Sequence, residues 1–98
     1  MSLPVVVRPE ADEDIAAARD WYDDQQAGLG KPFAARVAAV IDRLGDMPEL
    51  YCEVGPGVRA APVARFPYVL YYRPFADRVE VLAVLHGSRD PSAWQDRA

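Results

Sequence analysis

Between Val54 and Ala76 the chain carries three arginines, Arg59, Arg65 and Arg73, and no acidic residue. Further on, LHGSRDPSAW at 85–94 holds the only histidine, His86, followed by Arg89, Asp90 and Trp94. Arginine offers a planar fork of N–H donors suited to bidentate contact with carboxylate or phosphate. Histidine is the side chain that exchanges protons most readily near neutral pH. One chemistry consistent with the set is an anion-binding, phosphate-handling surface with His86 as general acid or base. Arg59 and Arg65 lie six residues apart, so in an unbroken strand they share a face, although a bulge at Pro62 would undo that parity. The plainer alternative is structural. The arginines then pair with acids or solubilise a sheet face, His86 is a hydrogen-bonded strand end, Arg89 and Asp90 form a salt bridge or helix cap, and Trp94 closes the core.

Other chemistries are excluded by residue counts and spacing. One histidine and one cysteine, Cys52, give no metal-ligand spacing and no disulfide. The glycines of AGLG and GPG stand outside any strand–GxGxxG–helix or phosphate-loop context. No nucleophile motif accompanies His86, so no hydrolase triad is expected. No cofactor is expected either. The longest apolar stretches are too short to span a bilayer, and the N-terminus lacks a secretory layout, so a cytoplasmic protein without membrane contact is expected. The net charge of −4 conceals an asymmetry: residues 1–58 hold five basic and eleven acidic side chains, residues 59–98 six and four. Overall acidity argues against non-specific nucleic-acid binding, whose affinity comes from neutralising phosphates.

The elements that must position these residues are legible from periodicity. Pro4–Arg8 reads as a short β-branched strand. Pro9 suits a first helical turn, and Glu10, Asp12, Glu13 and Asp14 complement the helix dipole there. Ala11, Ile15, Ala18 and Tyr22 form one stripe, widened by Trp21, along a helix to about Gln26. Gly28 or Gly30 caps it. A second helix from Lys31 to Gly45 presents Phe33, Val37, Val40, Ile41 and Leu44, making an antiparallel hairpin with the first. Residues 49–57 read as loop. Val58–Phe66 is a strand weakened by Pro62, Tyr68–Arg73 a strong strand, and Arg78–His86 an apolar strand covered on both faces. Asp90 and Pro91 open a short C-terminal helix. Tyr71 and Tyr72 point to opposite faces, one buried and one exposed. The expected fold is α+β in the order β-α-α-β-β-β with a short C-terminal helix. A helical hairpin packs on a small, mainly antiparallel sheet, all within one domain over 1–98. Met1-Ser2-Leu3 has no evident place in it and reads as an expression remnant.

The phrases PEADEDIAAARDWYDDQ, GLGKPFAARV, MPELY, VRAAPVARFPYVLYYR and VEVLAVLHGSRDPSAWQDR together resemble the RelE/ParE toxin superfamily of bacterial type II toxin–antitoxin and plasmid-stabilisation systems, over essentially the whole chain. The resemblance implies a growth-inhibiting toxin neutralised by a cognate antitoxin. RelE-like members cut mRNA on the ribosome, and Arg59, Arg65, His86 and Arg89 stand near the positions where that branch keeps its catalytic residues. ParE-like members bind DNA gyrase and need no catalytic constellation. A single lysine, negative net charge and lack of the usual terminal tyrosine favour the ParE-like branch, with Arg73, Tyr72 and Trp94 as candidate contacts to target or partner. The alternatives are a ribosome-dependent endoribonuclease and an inactive antitoxin-binding module. Sequence-specific DNA binding by this chain alone is not expected.

Overall fold

The computed structural model describes residues 2–98; Met1, part of the terminal tripeptide discussed above, lies outside the described residues. The elements run β1 (Val5–Val7), α1 (Pro9–Gln25), α2 (Gly30–Asp46), β2 (Glu53–Gly55), β3 (Val58–Pro62), β4 (Tyr68–Pro74), β5 (Val79–His86) and α3 (Ser92–Gln95). They form one five-stranded sheet in the order β1-β5-β4-β3-β2. Only the β1–β5 pair is parallel. The α+β architecture matches the expectation, with β2 as an addition inside the stretch read as loop. Three residues including a glycine carry too little periodicity to mark a strand.

The helical hairpin covers one sheet face. Phe33, Val37, Val40 and Leu44 of α2 are buried with Ala11, Ala18 and Tyr22 of α1. They pack against Ala61, Leu70, Tyr72, Val79, Val81 and Val84 from the sheet. Tyr22, Phe33, Phe66 and Tyr68 interlock with ring centroids 5.0–6.0 Å apart. Edge-on aromatic packing of this kind adds about 0.5–1.5 kcal/mol per pair beyond burial itself. Gly28 takes φ +86 at the hairpin turn. Gly30 serves by its size instead: a Cβ there would stand 2.6 Å from the Arg19 carbonyl oxygen. The terminus is tied in as well, because the Leu3 N–H donates to the Gly45 carbonyl (2.9 Å).

The register between β4 and β5 slips at one place. Tyr71 faces Ala83 and Tyr72 faces Val81, leaving Leu82 as the extra residue of a bulge. A bulge reverses side-chain parity along the strand that carries it. Val79 and Val81 therefore join the helix-side core, as does Val84, while Leu82, Ala83 and Leu85 join a second cluster on the opposite face. Trp94 of α3 closes that second cluster, stacking on Tyr71 at 5.1 Å with the ring planes 15° apart. The apolar strand is thus covered on both faces, by the hairpin on one and the α3 turn on the other.

Candidate functional site

The parity reversal carries His86 onto the helix side, opposite Tyr68 in the register and 5.5 Å from its ring. Its Nδ1 accepts a hydrogen bond from the Ser88 backbone N–H at 3.1 Å and lies 2.7 Å from Ser88 Oγ. A backbone N–H only donates, so Nδ1 is the unprotonated nitrogen and Nε2 carries the hydrogen. The arrangement is that of a strand-end lock.

Arg59 faces the same side, far from His86. It pairs with Tyr72, whereas His86 pairs with Tyr68. Four residues of strand separate those positions by about 13 Å. The Arg59 guanidinium is committed locally, donating from Nη1 to the carbonyls of Tyr51 (2.7 Å) and Glu49 (3.3 Å). Arg65 is not on the strand at all, contrary to the expected strand through Phe66. The chain turns after Pro62, the Phe66 N–H donates to the Val63 carbonyl, and Arg65 takes φ 70. That turn drives Phe66 into the aromatic cluster and leaves Arg65 exposed at the sheet end. Shared-face parity for Arg59 and Arg65 therefore fails, because the strand ends instead of bulging.

The tyrosine question is settled by burial. Tyr72 is 0% exposed and its hydroxyl donates to the Pro48 carbonyl at 2.9 Å. Its placement as a contact residue is corrected: it is a core residue, and burial pushes its phenol pKa up. Tyr71 is the half-exposed partner of Trp94. Trp94, 6% exposed, is a lid rather than a free platform. Asp90 caps the final turn, its Oδ1 accepting the Ser92 N–H at 2.9 Å, and that bond holds its pKa below the usual carboxylate range. No Arg89–Asp90 salt bridge forms among the described residues; Arg89 stays exposed at the strand end.

What the structure does bring together is a groove between α1 and β5. Two adjoining hollows of about 230 and 300 Å³ share Trp21, Tyr68 and His86. Asp14, Val84 and Arg89 line one, Tyr22 and Pro67 the other. Trp21 stands 54% exposed on the rim, edge-on to Tyr22 at 5.1 Å. Its assignment to the core stripe is thereby corrected. Adjacent helical residues lie about 100° apart, so with Tyr22 turned fully into the core Trp21 falls at the edge of the stripe, on the rim of the groove. That angle was the available signal.

The groove also runs along an incompletely paired sheet edge. β1 pairs with β5 only as far as Val7 opposite Val81. Beyond it, side chains stand in for a strand: Asp14 Oδ2 accepts the Val84 N–H (3.0 Å), and Arg97 Nη1 donates to the Leu82 carbonyl (3.2 Å). Among the described residues no group of acids, histidine and cysteine is placed to hold a metal ion, and no helix is long and apolar enough to cross a membrane.

Comparison with known proteins adds to this geometry. The family model for the ParE toxin of the type II toxin–antitoxin system parDE matches residues 5–91. A search of curated protein sequences finds no significant match. Among solved structures, a chain of the chromosomal ParDE toxin–antitoxin system from P. aeruginosa superposes with a TM-score of 0.65 at 15% identity, covering 87% of this chain and 96% of that one. At that identity the likeness is one of fold, whereas the family match spans the strands, both helices and the groove between them. The chain belongs to the ParE toxin family of type II toxin–antitoxin systems.

Proposed function

We propose that this chain is a toxin that acts by binding DNA gyrase, and that a cognate antitoxin neutralises it by occupying the groove between α1 and β5. The observation that carries the choice of target is the separation of Arg59 from His86 and the local commitment of both side chains. Arg59 is spent on two backbone carbonyls, Arg65 sits on a turn, and His86 has its acceptor nitrogen committed to Ser88. Phosphodiester cleavage needs a base, an acid and charge-stabilising donors around one phosphate, each within hydrogen-bond reach. About 13 Å of strand between the Arg59 and His86 positions does not supply that. A binding poison requires only a complementary surface.

The groove has the features of a peptide-binding surface: an exposed tryptophan, neighbouring apolar hollows, a free guanidinium at Arg89 and a partly open sheet edge. An extended or helical segment with an apolar anchor for Trp21 and Tyr68 and an acid for Arg89 suits it. One feature favours the ribonuclease as second reading: His86 and Arg89 line the same hollow. Induced expression in bacteria tests the proposal. The chain alone should arrest growth with a DNA-damage response, and co-expression of the antitoxin encoded beside it should restore growth. Arrest with mRNA fragmentation and intact chromosomal DNA would support the ribonuclease, and no arrest the inactive binding module.

A further inference from the structure

Arg73 lies on the sheet face away from the helical hairpin, opposite Glu80 in the β4–β5 register. That pairing should give it a carboxylate partner, yet among the described residues it has none. Both Glu80 oxygens are taken, Oε1 by Arg8 Nε at 2.8 Å and Oε2 by Arg78 Nε at 2.7 Å. Arg73 leans instead over the turn between β2 and β3. Its Nη2 makes one long hydrogen bond to the Pro56 carbonyl, 3.3 Å, and its Nε is buried with no hydrogen-bond partner. A buried donor left unpaired costs stability, and such groups are rare in native proteins. The guanidinium opens onto a cleft of about 330 Å³ walled by Pro56, Val58, Trp94 and Gln95.

We propose that this cleft is a second protein-docking site, in which Arg73 receives an acidic side chain of a partner while an adjacent aliphatic residue packs on exposed Pro56 beside the edge of the Trp94 lid. The fork of Arg73 matches a carboxylate in geometry and charge. The wall composition decides against nucleic acid. Among the described residues Arg73 is the only cation lining the cleft; Arg8 and Arg78 are held in ion pairs with Glu80 and Asp77, and Arg97 with Asp14. A polyphosphate chain gains affinity by meeting several cations in sequence. A lone carboxylate between apolar side chains needs one cation and apolar walls, as found here. The site is on the opposite face from the α1–β5 groove, so it stands independently of the function proposed above.

The test is a titration of the full chain followed by the Arg73 Nε–H and Trp94 indole N–H signals in NMR. The probe is a blocked pentapeptide with one glutamate between two leucines, and its control is the same peptide with glutamine. Both signals should move saturably with the glutamate peptide, and the glutamine peptide should bind about tenfold more weakly. Arg73→Gln should abolish the indole shift, while Arg73→Lys, which keeps the charge but not the fork, should weaken it. Equal response to the two peptides overturns the proposal, and the comparison needs no folded variant. It is equally overturned if neither peptide moves the signals, or if a short single-stranded oligonucleotide moves them and the peptide does not.

Discussion

Asp14 on α1 and Arg97 near the chain end meet in a two-pronged ion pair, with Nη1–Oδ2 at 2.5 Å and Nη2–Oδ1 at 3.2 Å, and the same two side chains bind the Val84 N–H and the Leu82 carbonyl on the edge of β5. The pair spans 83 positions in sequence and is largely shielded from solvent, with side-chain exposures of 23% for Arg97 and 14% for Asp14. The Arg97 pKa is raised, first of all by its hydrogen bond to Asp14. The Arg97 carbonyl also accepts from Arg8 Nη1 at 2.8 Å, so the last turn is strapped to the sheet from two directions.

Removing either partner should therefore cost more than an ordinary surface ion pair. Asp14→Ala is expected to destabilise the fold by about 1–3 kcal/mol, since the Val84 N–H and the Arg97 guanidinium both lose their acceptor. Arg97→Ala should cost a similar amount, and the double variant clearly less than the sum, because the two share one network. Urea denaturation of the four proteins checks this; strict additivity would show that the pair is not coupled.

Glu80 predicts a pH dependence. Hydrogen bonds from Arg8 and then Arg78 hold its pKa below the usual carboxylate range. A depressed folded-state pKa contributes stability that is fully present above the unfolded-state value and is lost as pH falls through the folded one. Glu80→Gln should thus be less stable than the natural sequence at pH 7, and the gap should close on acidification below about pH 4. Urea midpoints measured from pH 7 down to pH 3 test the sign. A gap independent of pH would mean the ion pairs are not its source.

Gly30→Ala tests the hairpin crossing. The added methyl would meet the Arg19 carbonyl at 2.6 Å, so the helices must part. The Gly30 N–H bond to Asp23 Oδ1, 2.8 Å, would loosen with them. A loss of about 1–3 kcal/mol is expected, against the helix propensity gained. A rise in melting temperature would refute the close approach.

Trp21→Ala separates binding from folding. Its ring is more than half exposed, so stability should change by only about 0.5 kcal/mol. Antitoxin binding should weaken by about 2 kcal/mol or more, as for a central aromatic anchor. Calorimetric titration with the antitoxin measures it; unchanged affinity would move the interface away from the groove.

Much of the fold was legible because its helices are amphipathic. The stripe through Ala11, Ala18 and Tyr22, the α2 face through Phe33, Val37, Val40 and Leu44, and the Asp90 cap all follow from local periodicity and capping chemistry. The site was harder to read because it depends on events with no local signature. One extra residue at Leu82 decides which face His86 occupies. The turn at Ala64-Arg65 exists because Phe66 has a tertiary pocket to fill, and it removes Arg65 from the strand. Tyr72 and Tyr71 alternate as expected, but only the register shows that Tyr72 is the buried one. Arg73 was legible as a candidate contact, with pairing to an acid as the plainer alternative; that its register partner Glu80 is already held by Arg8 and Arg78 lies in three-dimensional pairing.

The central claim is that this toxin works by binding gyrase, without an assembled nuclease site. Its most direct test places the purified chain in a DNA gyrase supercoiling and cleavage assay beside a ribosome-dependent mRNA cleavage assay, with Arg65→Ala and His86→Ala in parallel. Gyrase binding predicts loss of supercoiling or trapping of cleaved DNA, no mRNA cutting, and little effect of either substitution. Cleavage of mRNA on the ribosome that both substitutions abolish, with gyrase unaffected, would contradict it.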